Sequence, residues 1–191
     1  RIASRYTFYE MKNLAFDFGI STPPELKWWN SCVGWCAKGV DALADRLDFY
    51  GFKNDVFGLE EIFQANNKDV LFPSGILGAL IASCSFIYVS EDDTGYPRLQ
   101  IINADEATGI IDATTGLLNE GYAVLERNIA KQPILEAYFT HEGTFYYKDG
   151  QLIDQRTYRI KEPLLVPLIF KPDAKRPFGH SRITRAGMSY V

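Results

Sequence analysis

The chain has 191 residues, 47% hydrophobic, 23% charged and 14% aromatic, with a formal net charge of −4. That balance excludes a disordered segment, and the length suits one domain, or one domain with an extension, around a core of useful size. The acidic charge also argues against a protein that wraps nucleic acid through its phosphates.

The first third reads as helical. Residues 5–16 form a candidate helix, closed by Gly19 and by Pro23 and Pro24. Trp29, Val33, Cys36, Val40, Leu43 and Leu47 then step by three or four, with Lys38, Asp41 and Asp45 on the opposite face, which predicts an amphipathic helix ending near Asp48. Phe49-Tyr50-Gly51-Phe52 reads as a short strand leaving it. A shorter helix is expected over 58–66 and a fully apolar one over 69–82, with Pro73 tolerable in its first turn. Residues 70–89 are twenty consecutive uncharged positions, the length of a membrane span. Pro73, Gly75, Gly78 and three serines interrupt them, and Phe86-Ile87-Tyr88-Val89 has strand character, so a buried helix running into a buried strand is the better reading and no membrane partner is expected.

From Cys84 the period changes to two. Strands are predicted at 84–90, 98–103, 109–112, 118–127, 133–140, 144–148 and 151–160, with turns at 92–95, 112–116, 141–143 and 148–150. Asp149-Gly150 accepts the positive φ angles of a type I′ hairpin. A further apolar run at 164–170 lies between Pro163 and Pro172 and contains Pro167, which marks an edge or bent strand. Helices, then antiparallel strands, then a new helix make the expected fold class α+β. The N-terminal helices should pack on a mostly antiparallel β region, with 1–82 mainly helical, 83–170 β-rich and 177–191 the start of a further helix.

In that last segment Pro177 and Gly179 make a turn, and Ser181 is the expected N-cap. Ile183, Ala186, Gly187, Tyr190 and Val191 recur at helical spacing, and two turns are too few for an isolated helix. Together with Arg1 in place of a starting methionine, this leads to the expectation that the chain is a piece of a larger protein. From Lys171 onward there are five basic residues (Lys171, Lys175, Arg176, Arg182, Arg185) against Asp173 alone, a balance of +4 that leaves −8 on the first 170. Two readings of the basic tail stand: a solvated turn, or a contact with an acidic neighbour.

Little of the chain resembles a catalytic centre. Asp93-Thr94-Gly95 matches the aspartic-protease triplet, but it lies in a charged run ending in Gly95 and Pro97, as a solvated turn does. His141 and His180 both adjoin turn glycines with no nucleophile in a suitable context. Gly75 and Gly78 form neither a phosphate loop nor a dinucleotide fingerprint. Cys32 and Cys36 are four apart on a predicted helix, without a second ligand pair, and with Cys84 read as reduced thiols in a cytosolic setting. No enzyme activity, metal or cofactor is expected.

Two segments carry a family resemblance. Residues 35–52 (WCAKGVDALADRLDFYGF) resemble the N-terminal helix and following strand of portal proteins of tailed double-stranded-DNA phages, in the branch common in phages and prophages of Gram-positive bacteria. Residues 177–185 (PFGHSRITR) resemble the turn and helix start that follow the β-rich part of the same proteins. The order of elements between them is similar as well. The chain departs at His180, where a basic residue, often arginine, is expected, and at Gly187, which loosens the last helix.

The resemblance implies a structural, non-enzymatic subunit. Portal proteins form rings, usually of about twelve subunits, at one capsid vertex. DNA is packaged and later ejected through the ring, which also joins head to tail. The implied partners are further copies of the chain, the terminase large subunit, capsid or scaffold and head–tail adaptor proteins, and double-stranded DNA passing without sequence preference. The implied location is the virion, with assembly in the host cytoplasm. This chain would be most of the wing region, and Arg182 and Arg185, three apart on one helical face, are the candidate subunit-interface residues. The alternatives are another phage-morphogenesis or adaptor module, or a fragment of a hydrolase.

Overall fold

The computed structural model describes residues 1–12, 23 and 34–189. Within them the helices are α1 (Ile2–Tyr9), α2 (Trp35–Ala44), α3 (Leu59–Ala65), α4 (Lys68–Ala82) and, at the end, α5 (Arg185–Ser189). The strands are β1 (Cys84–Glu91), β2 (Pro97–Asn103), β3 (Ala107–Ile111), β4 (Leu118–Arg127), β5 (Pro133–Thr140), β6 (Gly143–Lys148), β7 (Gln151–Arg156) and β8 (Leu165–Ile169). The fold is α+β, with N-terminal helices followed by antiparallel sheets and a short helix at the end.

The strands divide into two sheets, of order β2-β1-β8 and β3-β4-β5-β6-β7, and every pairing is antiparallel. Their facing sides share one core. Phe86, Tyr88 and Leu165 of the small sheet meet Leu118, Ala123, Ala137, Phe139 and Tyr146 of the large one. Tyr88 and Phe139 pack edge to face at 5.5 Å, and the Tyr88 and Tyr146 hydroxyls bond to each other at 2.9 Å inside the core. The inner positions of the large sheet are mostly small where it passes the small one: Gly121 comes close enough that an added Cβ would lie 3.0 Å from Leu165.

The other face of the small sheet is covered by α4. Ser85 Oγ donates to Gly75 O at 2.7 Å, and a Cβ at Gly75 would lie 2.7 Å from Leu168 Cδ1, so glycine allows this close approach. With both faces covered, β1 is buried along its first five residues, and its sequence is a continuous apolar run rather than an alternating one. Helix α4 is buried in turn on its far side by α2, through Val40, Cys36, Leu80 and Ile81. The layers therefore run α2, α4, small sheet, large sheet. Among the described residues no helix is long and apolar enough to cross a membrane, and the uncharged run at 70–89 is α4 turning into β1 through Ser83 at φ +99°.

Several expectations need correction. Phe49–Phe52 is not a strand: it has no backbone partner, and its rings instead enter a cluster, with Phe49 stacked on Phe72 at 3.8 Å and Phe52 against Phe63 at 4.9 Å. Helix α2 ends at Ala44, although i→i+3 bonds from Arg46 and Leu47 prolong it by a tightened turn. Helix α1 runs Ile2–Tyr9, so residues 10–12 of the helix predicted at 5–16 are not helical; residues 13–16, Trp29, Cys32, Val33, Tyr190 and Val191 lie outside the described residues. Pro73 sits in the second turn of α4, and the exposed Asp69, whose carbonyl it leaves unbonded within the helix, faces water. Strand β7 ends at Arg156 rather than 160, because its partner runs out: Arg156 pairs with Thr144, at the start of β6. The 148–150 turn is as predicted, with Asp149 and Gly150 at φ +50° and +78°, and β8 with Pro167 is indeed an edge strand.

Candidate interaction surfaces

A helix ending inside a protein leaves its last carbonyls without intrahelical partners. At the end of α4 each of them is taken. Ser83 N donates to Ala79 O (2.9 Å), Arg182 N to Leu80 O (2.8 Å), Ser181 Oγ to Ile81 O (2.5 Å) and Arg5 Nη1 to Ala82 O (2.6 Å); Phe170 N then donates to Ser83 O (2.9 Å). The Arg5 charge also faces the negative end of the helix. The segment after β8 is thus locked to α4, and Ile183, 3% exposed, completes the core between α2 and α4. Gly179 makes this path possible: it lies at φ +75°, and a Cβ there would be 2.2 Å from Phe170 O.

This junction revises the expected helix start. Ser181 is not the cap of α5; its hydroxyl is committed to Ile81 O and accepts from Ile183 N at 2.9 Å. Thr184 caps instead, its Oγ1 accepting from Gly187 N at 3.1 Å. Arg182 therefore precedes α5 while Arg185 opens it, so the two do not share a helical face. Both are exposed, and Arg182 Nε donates to Gly39 O of α2 at 3.3 Å. Just upstream, Asp173 Oδ1 accepts from the Lys175 and Arg176 amides (2.8 Å each) and Oδ2 from His180 Nε2 (2.5 Å). The His180 bond is the main reason that carboxyl is held below its ordinary pKa. Here His180 closes the turn through Asp173.

The outward face of the five-stranded sheet is the second surface, and sequence reasoning missed it. Tyr122, Tyr138 and Phe145 lie side by side in register across β4, β5 and β6. Val124, Glu136 and Tyr147 form the adjoining row, and Glu120 and Ile110 pair on the other side. The Tyr122 hydroxyl bonds to Glu136 and the Tyr138 hydroxyl to Glu120, each on the diagonal between neighbouring strands. Partial burial and the Glu136 bond push the Tyr122 phenol up to about 12, and the Glu120 bond raises that of Tyr138. Tyr122, Tyr138, Phe145 and Tyr147 are each half-buried and Glu120 is exposed, and among the described residues no helix packs extensively on β3–β7. The signal was present in the sequence as Gly121-Tyr122-Ala123 and Ala137-Tyr138, where the small residues face inward and the aromatic ones outward.

The other candidates resolve into structure. Asp93-Thr94-Gly95 is a hairpin turn organised by Asp92, whose Oδ1 accepts from Thr94 N (2.9 Å) and Tyr96 N (3.0 Å) while Oδ2 meets Arg98 Nη2 at 2.9 Å. Those bonds, led by the Thr94 hydroxyl, hold Asp92 far below the ordinary carboxylate range. His141 Nδ1 bonds Lys161 O at 2.6 Å in the loop after β7. Cys84 is a core thiol that burial pushes up to about 11, and Cys36 is buried between α2 and α4. A cleft of about 520 Å³ opens between the sheet ends, with Tyr88 and Tyr146 lining it beside Glu91 and the Asp154–Arg156 ion pair at 3.0 Å. Burial raises the Tyr146 phenol well above its ordinary value, so it stays protonated at neutral pH.

No protein-family model matches the chain. It is similar to the portal protein of Mycobacterium phage L5, with 30% identity over 105 residues, which is 52% of this chain and 21% of that protein. The matched part is thus about a fifth of the relative's length.

Proposed function

We propose that the chain is the wing part of a portal subunit, a structural, non-enzymatic component of a ring at the capsid vertex of a tailed phage. The ring is the conduit for DNA packaging and ejection and the point of head–tail connection. The observation that carries this reading is the similarity to the Mycobacterium phage L5 portal protein over 105 residues. The charge distribution supports it: the first 170 residues carry −8, and like charge along a conduit lets a polyanion slide without being gripped. Terminase, scaffold and adaptor proteins are the partners such a ring requires. Arg182 and Arg185 contribute to the contact between neighbouring subunits.

Electron microscopy of the protein at its full natural length tests the reading. Rings with a central channel are expected, and monomers at high concentration would refute it. Reversing Arg182 and Arg185 together to glutamate is expected to reduce ring formation; unaltered rings would remove these two residues from the interface.

A further inference from the structure

We propose that the outward face of the five-stranded sheet receives the basic segment 171–185 of a second copy of this chain, in a head-to-tail contact. The inference rests on the ring reading for its biological setting, but its physical argument is separate. The face has two carboxylates, Glu120 and Glu136, each already holding a tyrosine hydroxyl, while Arg127, close to Tyr122 at the end of β4, is committed to Glu106. A carboxylate accepts more than one hydrogen bond, so each keeps acceptor capacity for a further donor. Beside them Tyr122, Tyr138 and Phe145 stand in one cross-strand row. Paired carboxylates flanked by aromatic rings suit a guanidinium or ammonium group, through charge-assisted hydrogen bonds and cation–π contact. Nucleic acid is a poor occupant, since these carboxylates repel phosphate.

The chain carries its own matching cation cluster on its opposite side. Lys171, Lys175, Arg182 and Arg185 are exposed on a segment docked against α2 and the end of α4. In the layer order the large sheet is last and α2 first, so one copy cannot bring the segment to its own sheet face. A second copy in the same orientation can. Two different, complementary patches on opposite sides of one subunit are the requirement for a heterologous contact that closes into a ring. Tyrosine, enriched at interfaces because it presents a large rigid apolar body with a polar tip, is the dominant residue of the receiving side.

The test uses two measurements on the 191-residue chain. A photo-crosslinking benzoylphenylalanine in place of Tyr138 should yield dimers whose junction peptides join position 138 to residues 171–189 of the other copy. Junctions mapping elsewhere, or no dimer at about 1 mM, where even weak self-association is populated, would overturn the proposal. Sedimentation of the Glu120→Lys/Glu136→Lys variant should show self-association weakened by about tenfold, and adding Lys175→Glu/Arg185→Glu should restore it. Wild-type association in the reversed variant, or no restoration, would overturn it too. Glu120→Gln/Glu136→Gln, which keeps the tyrosine hydrogen bonds, controls for the fold. Failure of the ring reading looks different: the full-length protein forms no rings while the 138-to-tail crosslink persists. Conversely, intact full-length rings with Glu120 and Glu136 reversed would sink this inference and leave that reading standing.

Discussion

The two sheets share a core yet differ in what lies behind them. The small sheet is enclosed, with α4 on its far face and the large sheet on its near one, and its central strand is apolar on both sides. The large sheet is enclosed on one side only, and its outward side carries aromatic rings and carboxylates instead of the usual scattered polar residues. Stability should therefore concentrate in the enclosed half, and recognition on the open face.

Four changes separate these roles, from the largest expected effect to the smallest. Truncating Phe86 or Phe139, which are 1% and 0% exposed between the sheets, should cost about 3–5 kcal/mol in denaturant unfolding. A loss below about 1 kcal/mol at either site, the level of a surface change, would mean the sheets do not share a packed core. Next, Gly179→Ala forces a Cβ onto the Phe170 carbonyl at a left-handed position and should cost about 1–3 kcal/mol. Because Gly179 sets the path that caps α4, amide exchange should quicken in α4 and β8 and stay unchanged in β4 and β5. Uniform quickening would show the two halves to be one cooperative unit.

On the open face, Tyr138→Ala removes a cross-strand pair and one hydroxyl bond and should lower stability by less than about 1 kcal/mol. A core-sized loss would show that the face is structural rather than presented for contact. The smallest effect concerns Asp92. Its folded pKa lies below its ordinary value of 3.8, so its contribution is fully present above pH 3.8 and is lost as pH falls towards the folded value. Asp92→Asn should flatten the acid limb of the stability profile below about pH 4, because the variant lacks this contribution at neutral pH and converges on the wild type in acid. An unaltered acid limb would mean that the β1–β2 turn is not held by this carboxylate.

Much of the fold was legible in the chain because its signals are local. Period-two alternation and turn residues such as Asp149-Gly150 placed β4, β5 and β6 to within a residue, and the unbroken apolar run placed α4 and β1. Where the reading failed, a distant partner had decided the outcome. Phe49–Phe52 has strand composition, but its rings found Phe63 and Phe72 before its backbone found a strand. Residues 157–160 have strand character too, but β6 is too short to pair with them. Ser181 has the chemistry of an N-cap and was claimed by a carbonyl 100 residues earlier.

By itself, then, the sequence determined the secondary elements, the α+β class and the charge asymmetry, since backbone period, turn chemistry and net charge depend on near neighbours. The division of the strands into two sheets, the capping of α4 by Arg5, Ser181 and Arg182, and the outward aromatic–acidic ladder were decided by the tertiary structure. Each of these depends on which face of an element another element covers. Period two says that a strand has two faces; only packing tells which one is left open.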